Sequence, residues 1–390
     1  MEIAHFIYDN KISNIEDLKK TFENEPYNLK IKEDVNIDNL VIICNTDKSD
    51  FNLKIVNECN GLILDKNTLK IVCYTFDKCS NSLEIPNIFD FNNLYIENSI
   101  EGTLVRLYYF NNNWALSTKK CIDASKASWI SNKSFYELFN ECINTESNKI
   151  NQENLNKNYC YSFIIVHPEN SIVINYKNRY PELYHISTRN METLEEIDVD
   201  IGIKKNYKMI VERHETEKII ENVMNSRDLL YEGIIFIDIH YRRWKIKTPI
   251  FNRARELWGN TNNRLFRYIE LRKDSNMLHE YLLYFPHDNT LFYEYENRLK
   301  NLSHDILKYY SGKHILKNID KIPYYYSKII YRLHGDFFKD KVKTNYTKIM
   351  ITLLDTDIKL VCYMLNNYEK SLVSNEVNMS IEEDIMDNNV

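Results

Sequence analysis

Over the first 260 positions, apolar residues come in short runs rather than at helical intervals. Leu40–Cys44, Gly61–Leu64, Lys70–Phe76 and Thr103–Phe110 are of strand length and rich in branched or aromatic side chains. Thr103–Phe110 leads through Asn111-Asn112-Asn113 into Trp114–Thr118, which predicts a hairpin. Tyr161–Val166 and Ile172–Tyr176, flanking Pro168-Glu169-Asn170-Ser171, predict a second; Gly233–Ile239 with Arg242–Lys247 predicts a third. Two helices interrupt the pattern. Ser13 with Glu16 forms a capping-box pattern ahead of Ile15, Leu18 and Phe22, and Ser134 with Glu137 opens a helix to about Cys142. After about residue 262 the period changes. Tyr295, Leu299, Leu302 and Ile306 are spaced 4, 3, 4, and so are Leu354, Ile358, Val361 and Leu365, which is helical spacing.

The predicted fold is therefore α+β, with antiparallel sheets and a few helices over 1–262, followed by an all-α domain over 263–375. Residues 376–390 hold five acids and no base, which predicts a disordered acidic tail. A length of 390 residues suits two domains. Charged residues at 27% and hydrophobic ones at 44% exclude wholesale disorder, collagen and coiled coil. No apolar run approaches the roughly 18 residues of a membrane helix. Met1–Lys11 lacks the basic region and apolar core of a signal peptide. The eight cysteines form no CxxC pair and no His–Cys cluster, so reduced thiols and a cytoplasmic setting are expected. Net charge is −6, but residues 264–370 carry 18 Lys+Arg against 13 Asp+Glu, a net of +5, which leaves −11 elsewhere. That asymmetry allows a nucleic-acid surface on the helical part.

Chemistry concentrates in the third hairpin. The two-residue period of a strand puts Lys245 and Lys247 on one face, where two ammoniums repel unless solvated or facing an anion. The bland reading is a solvated edge strand; the functional one is a phosphate-binding pair beside Glu232. Asn60-Gly61, Glu101-Gly102 and Glu232-Gly233 each lead into an apolar strand, a setting that turn geometry alone explains. His167, next to Pro168, reads as a turn residue. Tyr324-Tyr325-Tyr326 with Lys328, Tyr331 and Arg332 reads as core more readily than as an RNA-stacking surface.

Taken in order, these segments resemble the nucleotidyltransferase domain of ATP-dependent RNA ligases of the phage tRNA-repair type. Glu58-Cys59-Asn60-Gly61 and Val72–Asn81 look like its opening. Ser99-Ile100-Glu101-Gly102 occupies the K-x-D-G segment, and Trp114–Lys119 resembles the segment after it. Phe163-Ile164 resembles the F-E strand, and Glu232-Gly233 with Lys245-Ile246-Lys247 matches the E-G and K-x-K motifs. The resemblance covers about residues 30–260. It implies a three-step ligation: a lysine takes AMP from ATP, AMP passes to an RNA 5′-phosphate, and an RNA 3′-hydroxyl displaces it. It further implies ATP and Mg2+ as cofactors. Glu101, Gly102, Arg106, Glu232, Lys245 and Lys247 are the implied nucleotide-binding residues, with Glu232 also a metal ligand. The implied partners are a nucleotide and RNA, including tRNA or nicked RNA, with room for a protein partner and none for a membrane.

The departures fall at the chemistry. Ser99 stands where the family has its nucleophilic lysine, Ile164 where it has an acid, and Asn60 where an arginine is common. The leading expectation is a protein of viral type for RNA repair or processing, binding ATP and RNA ends without lysine adenylylation. A working ligase with Lys119 or Lys120 as substitute nucleophile is the second reading. A non-catalytic interaction protein reusing the fold is the third.

Overall fold

The computed structural model describes residues 1–34, 37–80, 94–144, 149–206 and 208–387. Asn81, at the end of the second resembling segment, lies outside them. The chain forms two compact units, Met1–Arg255 and Glu256–Val390.

Unit 1 holds three antiparallel sheets. The first runs in the order β1 (Leu29–Asp34), β2 (Ile37–Asn45), β3 (Leu62–Asp65), β4 (Ile71–Cys73). The continuous apolar runs of β2 and β3 follow from burial on both faces. Val41, Ile43, Leu62 and Leu64 pack under α1 (Glu2–Asp9) and α2 (Ile15–Phe22), beside the short α3 (Lys54–Glu58). Leu40, Ile42, Cys44 and Ile63 face the second sheet, meeting Tyr108 and Cys160. That sheet is ordered β10 (Glu196–Ile197), β9 (Glu182–Asn190), β8 (Tyr159–Val166), β6 (Thr103–Phe110), β7 (Asn113–Thr118). Its other face is covered by α4 (Phe135–Ile143), whose capping box of Ser134 and Glu137 forms as expected. The third sheet is β11 (Lys208–Val211), β5 (Leu94–Asn98), β12 (Gly233–Ile237), β13 (Arg243–Lys247), with α5 (Arg213–Asn225) on its apolar face.

Several local readings change. The β6–β7 hairpin turns at Asn111 and Asn112, both with positive φ as a tight hairpin requires. The cap of α2 is Asn14, whose side chain accepts from the Asp17 N–H, not Ser13. Only Ile71–Cys73 of the expected 70–76 run pairs as a strand. The second expected hairpin does not form: β8 pairs with β9, Tyr159↔Asn190 through Val166↔Glu182. Residues 172–176 lie outside any strand because the N–H groups of Val173 and Ile174 donate to the Glu101 carboxylate instead of a ladder.

Helix α6 (Pro249–Trp258) crosses from one unit to the next. Its last residues already belong to unit 2: the Leu257 carbonyl accepts from Arg267, and Trp258 packs on Phe285. The helical unit continues with α7 (Arg264–Leu271), α8 (Ser275–Tyr284), α9 (Asn289–Tyr310), a π-helical turn at Ser311–Ile315, α10 (Tyr324–Asp340), α11 (Tyr346–Leu354) and α12 (Ile358–Asp387). Tyr295, Leu299, Leu302 and Ile306 are buried along α9, as their spacing predicts. The second 4-3-4 set instead straddles the break between α11 and α12. Tyr326 is core, its hydroxyl donating to Asp305 Oδ2 at 2.8 Å, whereas Tyr324 and Tyr331 are exposed. Backbone of α12 continues through 376–387, a stretch whose composition predicts disorder. All eight cysteines are free thiols, and among the described residues no helix is long and apolar enough to cross a membrane.

Candidate nucleotide-binding site

Cross-strand register decides which side chains of the third sheet share a face. Ile235 lies opposite Lys245 and Glu97, Glu97 opposite Lys208, and Ile237 opposite Arg243. Arg243, Lys245, Lys247, Glu97 and Lys208 therefore stand on one side. Ile234, Phe236, Trp244 and Ile246 fill the core on the other. Ser99 follows β5 and is tied to β12, its N–H donating to the Gly233 carbonyl at 2.8 Å. Gly233 is required at this point. Its φ is +139°, and a Cβ there would lie 2.0 Å from the Ile246 carbonyl oxygen. Gly233→Ala is expected to cost roughly 2–4 kcal/mol, from strain and overpacking together, read as a lowered denaturation midpoint.

Glu232 is the hub. Its Oε2 accepts from Ser99 Oγ at 2.7 Å; its Oε1 meets Lys247 Nζ at 2.9 Å and Lys245 Nζ at 3.3 Å. Burial alone would raise its pKa, but the two ammoniums outweigh burial and hold it down at about 2. A carboxylate so stabilised is a poor base, so nothing here activates the Ser99 hydroxyl. The sign of the pH effect follows. The folded pKa lies below the ordinary value of 4.5, so this stabilisation is present above pH 4.5 and lost as pH falls towards 2. It amounts to about 3 kcal/mol at 1.36 kcal/mol per unit. Denaturant titrations at pH 6 and pH 3 are expected to show the loss, and Glu232→Gln to flatten it.

Glu101 and Arg106 do other work. The Glu101 carboxylate accepts from Val173 N at 2.9 Å and Ile174 N at 2.6 Å, fastening the 171–176 loop. Burial pushes its pKa up to about 7 against those donors. Its contribution is thus full below pH 4.5 and declines as pH rises through 7, opposite to Glu232. Arg106, which the resemblance implies as a nucleotide-binding residue, is 1% exposed. Its guanidinium donates to the Thr118 carbonyl at 2.5 Å and to the Gly61 carbonyl. Gly102 lies so close to Ile164 and Ile165 of β8 that a side chain would overlap them. The structure therefore gathers Ser99, Glu232, Lys245 and Lys247 at one point and uses Glu101, Gly102 and Arg106 as supports.

Two residues went unremarked or underweighted in the sequence. Glu97 is 2% exposed with Oε2 unpaired, and it lines a cavity of about 180 Å³ with His185, Ser187, Glu196, Lys205 and Lys208. Burial raises its pKa. The two-residue period from Ser99 was the available signal. Lys119 is half-buried, its amine 4.8 Å from the centre of the Phe76 ring. Burial, then Arg106, Lys245 and Arg243, lower its pKa to about 8, with the Cys79 thiol opposing. Lys120, by contrast, is exposed and donates to the Asn45 carbonyl at 2.8 Å.

The implied magnesium does not suit Glu232. Divalent magnesium prefers an oxygen shell, and this carboxylate is shared by two ammoniums and a hydroxyl, with Ile164 in place of a further acid. The two ammoniums suit an anion rather than a metal ion. Elsewhere Glu141, His167 and Glu169 converge, but Lys133 bridges the two carboxylates at 2.8 and 2.6 Å. His167 caps the turn that follows it, its Nδ1 accepting from the Glu169 N–H.

No protein-family profile matches the chain. Among curated proteins it is 25% identical over 283 residues to the "Immediate-early protein ICP-46 homolog" of Invertebrate iridescent virus 6, covering 67% of this chain and 62% of that protein. It is 28% identical over 165 residues to the "Putative RNA-ligase" of African swine fever virus, covering 35% and 34%. It is 26% identical over 185 residues to the "Putative bifunctional polynucleotide kinase/RNA ligase" of Autographa californica nuclear polyhedrosis virus, covering 43% and 26%. The chain thus spans about a quarter to three fifths of the length of these relatives. Solved structures similar to it include an archaeal ATP-dependent RNA ligase (TM-score 0.41, 12% identity, 69% of this chain and 68% of that one). Another is a DNA ligase described as ATP-dependent from Aquifex aeolicus (TM-score 0.40, 12% identity, 84% and 79%). Over part of its length the chain is thus similar to viral proteins described as RNA ligases, in keeping with the motif order read from its sequence.

Proposed function

We propose that this RNA-ligase-like chain binds a nucleoside triphosphate, ATP by resemblance, and RNA ends, and that it serves RNA repair or processing. One observation carries the reading. Lys245 and Lys247 converge on a single buried carboxylate while their side chains stay 20% and 27% exposed. Two cations against one anion leave a positive surplus, open to solvent, in a place where a phosphate would balance it. Arg243 is committed to Glu196 at 2.5 Å, a carboxylate it shares with Arg189. Glu97, on the same strand face as Lys245, lines a neighbouring cavity and would offer an acceptor for the exocyclic amine of a base. The net +5 of residues 264–370 supports an RNA partner.

Ser99 carries no covalent step in this reading, because its proton already belongs to a carboxylate that will not take it. A purely structural protein would have no use for uncompensated cations held in register, which favours the nucleotide reading over that one. Calorimetry of the full chain with ATP, and separately with a 5′-phosphorylated RNA, tests the proposal. Both are expected to bind below millimolar concentration; heat from neither would refute it.

A further inference from the structure

A phosphate held on Lys245 and Lys247 lacks a nucleophile at position 99, yet another amine stands beside the same strand. The ring of Phe76 carries two cations: Arg243 with its guanidinium carbon 4.2 Å from the ring centre, and Lys119 with its amine at 4.8 Å. Arg243 and Lys245 are alternate residues of β13, so they share a face about 7 Å apart. Lys245 is among the cations that act on the Lys119 amine, which sets that amine near the lysine pair.

We propose that Lys119 takes the role that Ser99 cannot: its side-chain amine, packed on Phe76 beside the cationic face of β13, accepts a nucleotidyl group from the triphosphate held by Lys245 and Lys247. The inference rests on the nucleotide-binding reading above.

The backbone beneath Lys119 is fixed from several sides. Arg106 binds the carbonyl of the preceding Thr118, and the Lys119 carbonyl accepts from the Cys44 thiol at 3.5 Å. Gly61, at φ +86°, lies so close that a Cβ would be 2.8 Å from Lys119 Cα. That explains why the chain spends one of its seven glycines there. No carboxylate among the described residues pairs with the amine. Its burial and cationic neighbours also favour the neutral form, with a pKa of about 8, so a useful fraction is nucleophilic near neutral pH. Lys120 is excluded by its outward course to Asn45.

The step balances with ATP as the only co-reactant. The Nζ lone pair attacks the α-phosphorus, an N–P bond forms, and the bridging P–O bond to the β-phosphate breaks. Its electron pair leaves on pyrophosphate, and the proton shed by the nitrogen passes to solvent.

The test is covalent labelling of the full chain with ATP carrying label on the α-phosphate, in magnesium or manganese, followed by denaturation. Label is expected to stay on the chain, to be acid-labile and alkali-stable as a phosphoramidate is, and to map to the peptide containing Lys119. It should fall at least a hundredfold in Lys119→Arg and persist in Lys120→Arg, with a labelling rate that rises through about pH 8. Calorimetric ATP binding, run on each variant, separates the two claims. ATP bound without label, or label that persists in Lys119→Arg or maps elsewhere, overturns the inference and leaves the nucleotide reading standing. Absence of ATP binding in the unmodified chain overturns both.

Discussion

Replacing Lys245 and Lys247 together with Met is expected to weaken ATP binding about 10²- to 10⁴-fold. A charge-assisted hydrogen bond contributes about 1.5–3 kcal/mol, and each 1.4 kcal/mol is a factor of ten. In the proposed site both ammoniums would contact the phosphate, so each single variant should show about half the loss on a logarithmic scale. The same double variant has a second consequence. Glu232 would keep only the Ser99 hydroxyl, and a buried carboxylate stripped of its partners is strongly destabilising. Adding Glu232→Gln should recover stability without recovering affinity. That split between the melting temperature and the ATP dissociation constant separates a ligand site from a structural salt bridge. If the double variant binds ATP as the parent does, the lysine pair is not the phosphate site.

Arg106→Met should act on stability rather than on ligand. The guanidinium is buried and satisfies two carbonyls, Gly61 immediately before β3 and Thr118 at the end of β7. An aliphatic side chain of similar length leaves both unpaired, at about 1–3 kcal/mol for each. For a unit of this size, a total of about 3–5 kcal/mol corresponds to a fall in melting temperature of roughly 6–20 °C. Lys at this position reaches at most one carbonyl and should recover only part of the loss. The measurement is a melting curve without nucleotide; a change smaller than about 2 °C would show that Arg106 is not the strut described here.

What the sequence discloses depends on how local the cause is. The Lys245/Lys247 face and the third hairpin follow from a two-residue period within one strand, and the Ser134–Glu137 cap from four consecutive residues. The continuous apolar runs of β2 and β3 reflect burial on both faces, a property of the strands themselves. The second hairpin failed because proximity in sequence suggested a partner for β8 that a carboxylate had already claimed. Only the folded arrangement brings Glu101 to the N–H groups of Val173 and Ile174, 72 and 73 residues away. The role of Arg106 was hidden for a related reason: strand alternation marks a face, but not whether that face turns to solvent or to another sheet. The burial of Lys119 likewise depends on Phe76 and on β13, both remote in sequence. Glu97 was within reach, since it shares a strand face with Ser99. The domain break near Arg255 was obscured because α6 carries an unbroken helical pattern across it.

The central claim is that the chain holds a triphosphate on the Glu232–Lys245–Lys247 cluster. The most direct measurement is a calorimetric titration of the full chain with ATP, repeated in the presence of inorganic tripolyphosphate. The account predicts one site, saturating below millimolar ATP, with apparent affinity that falls as tripolyphosphate rises. No heat and no thermal shift up to millimolar ATP, or ATP binding indifferent to tripolyphosphate, would contradict it.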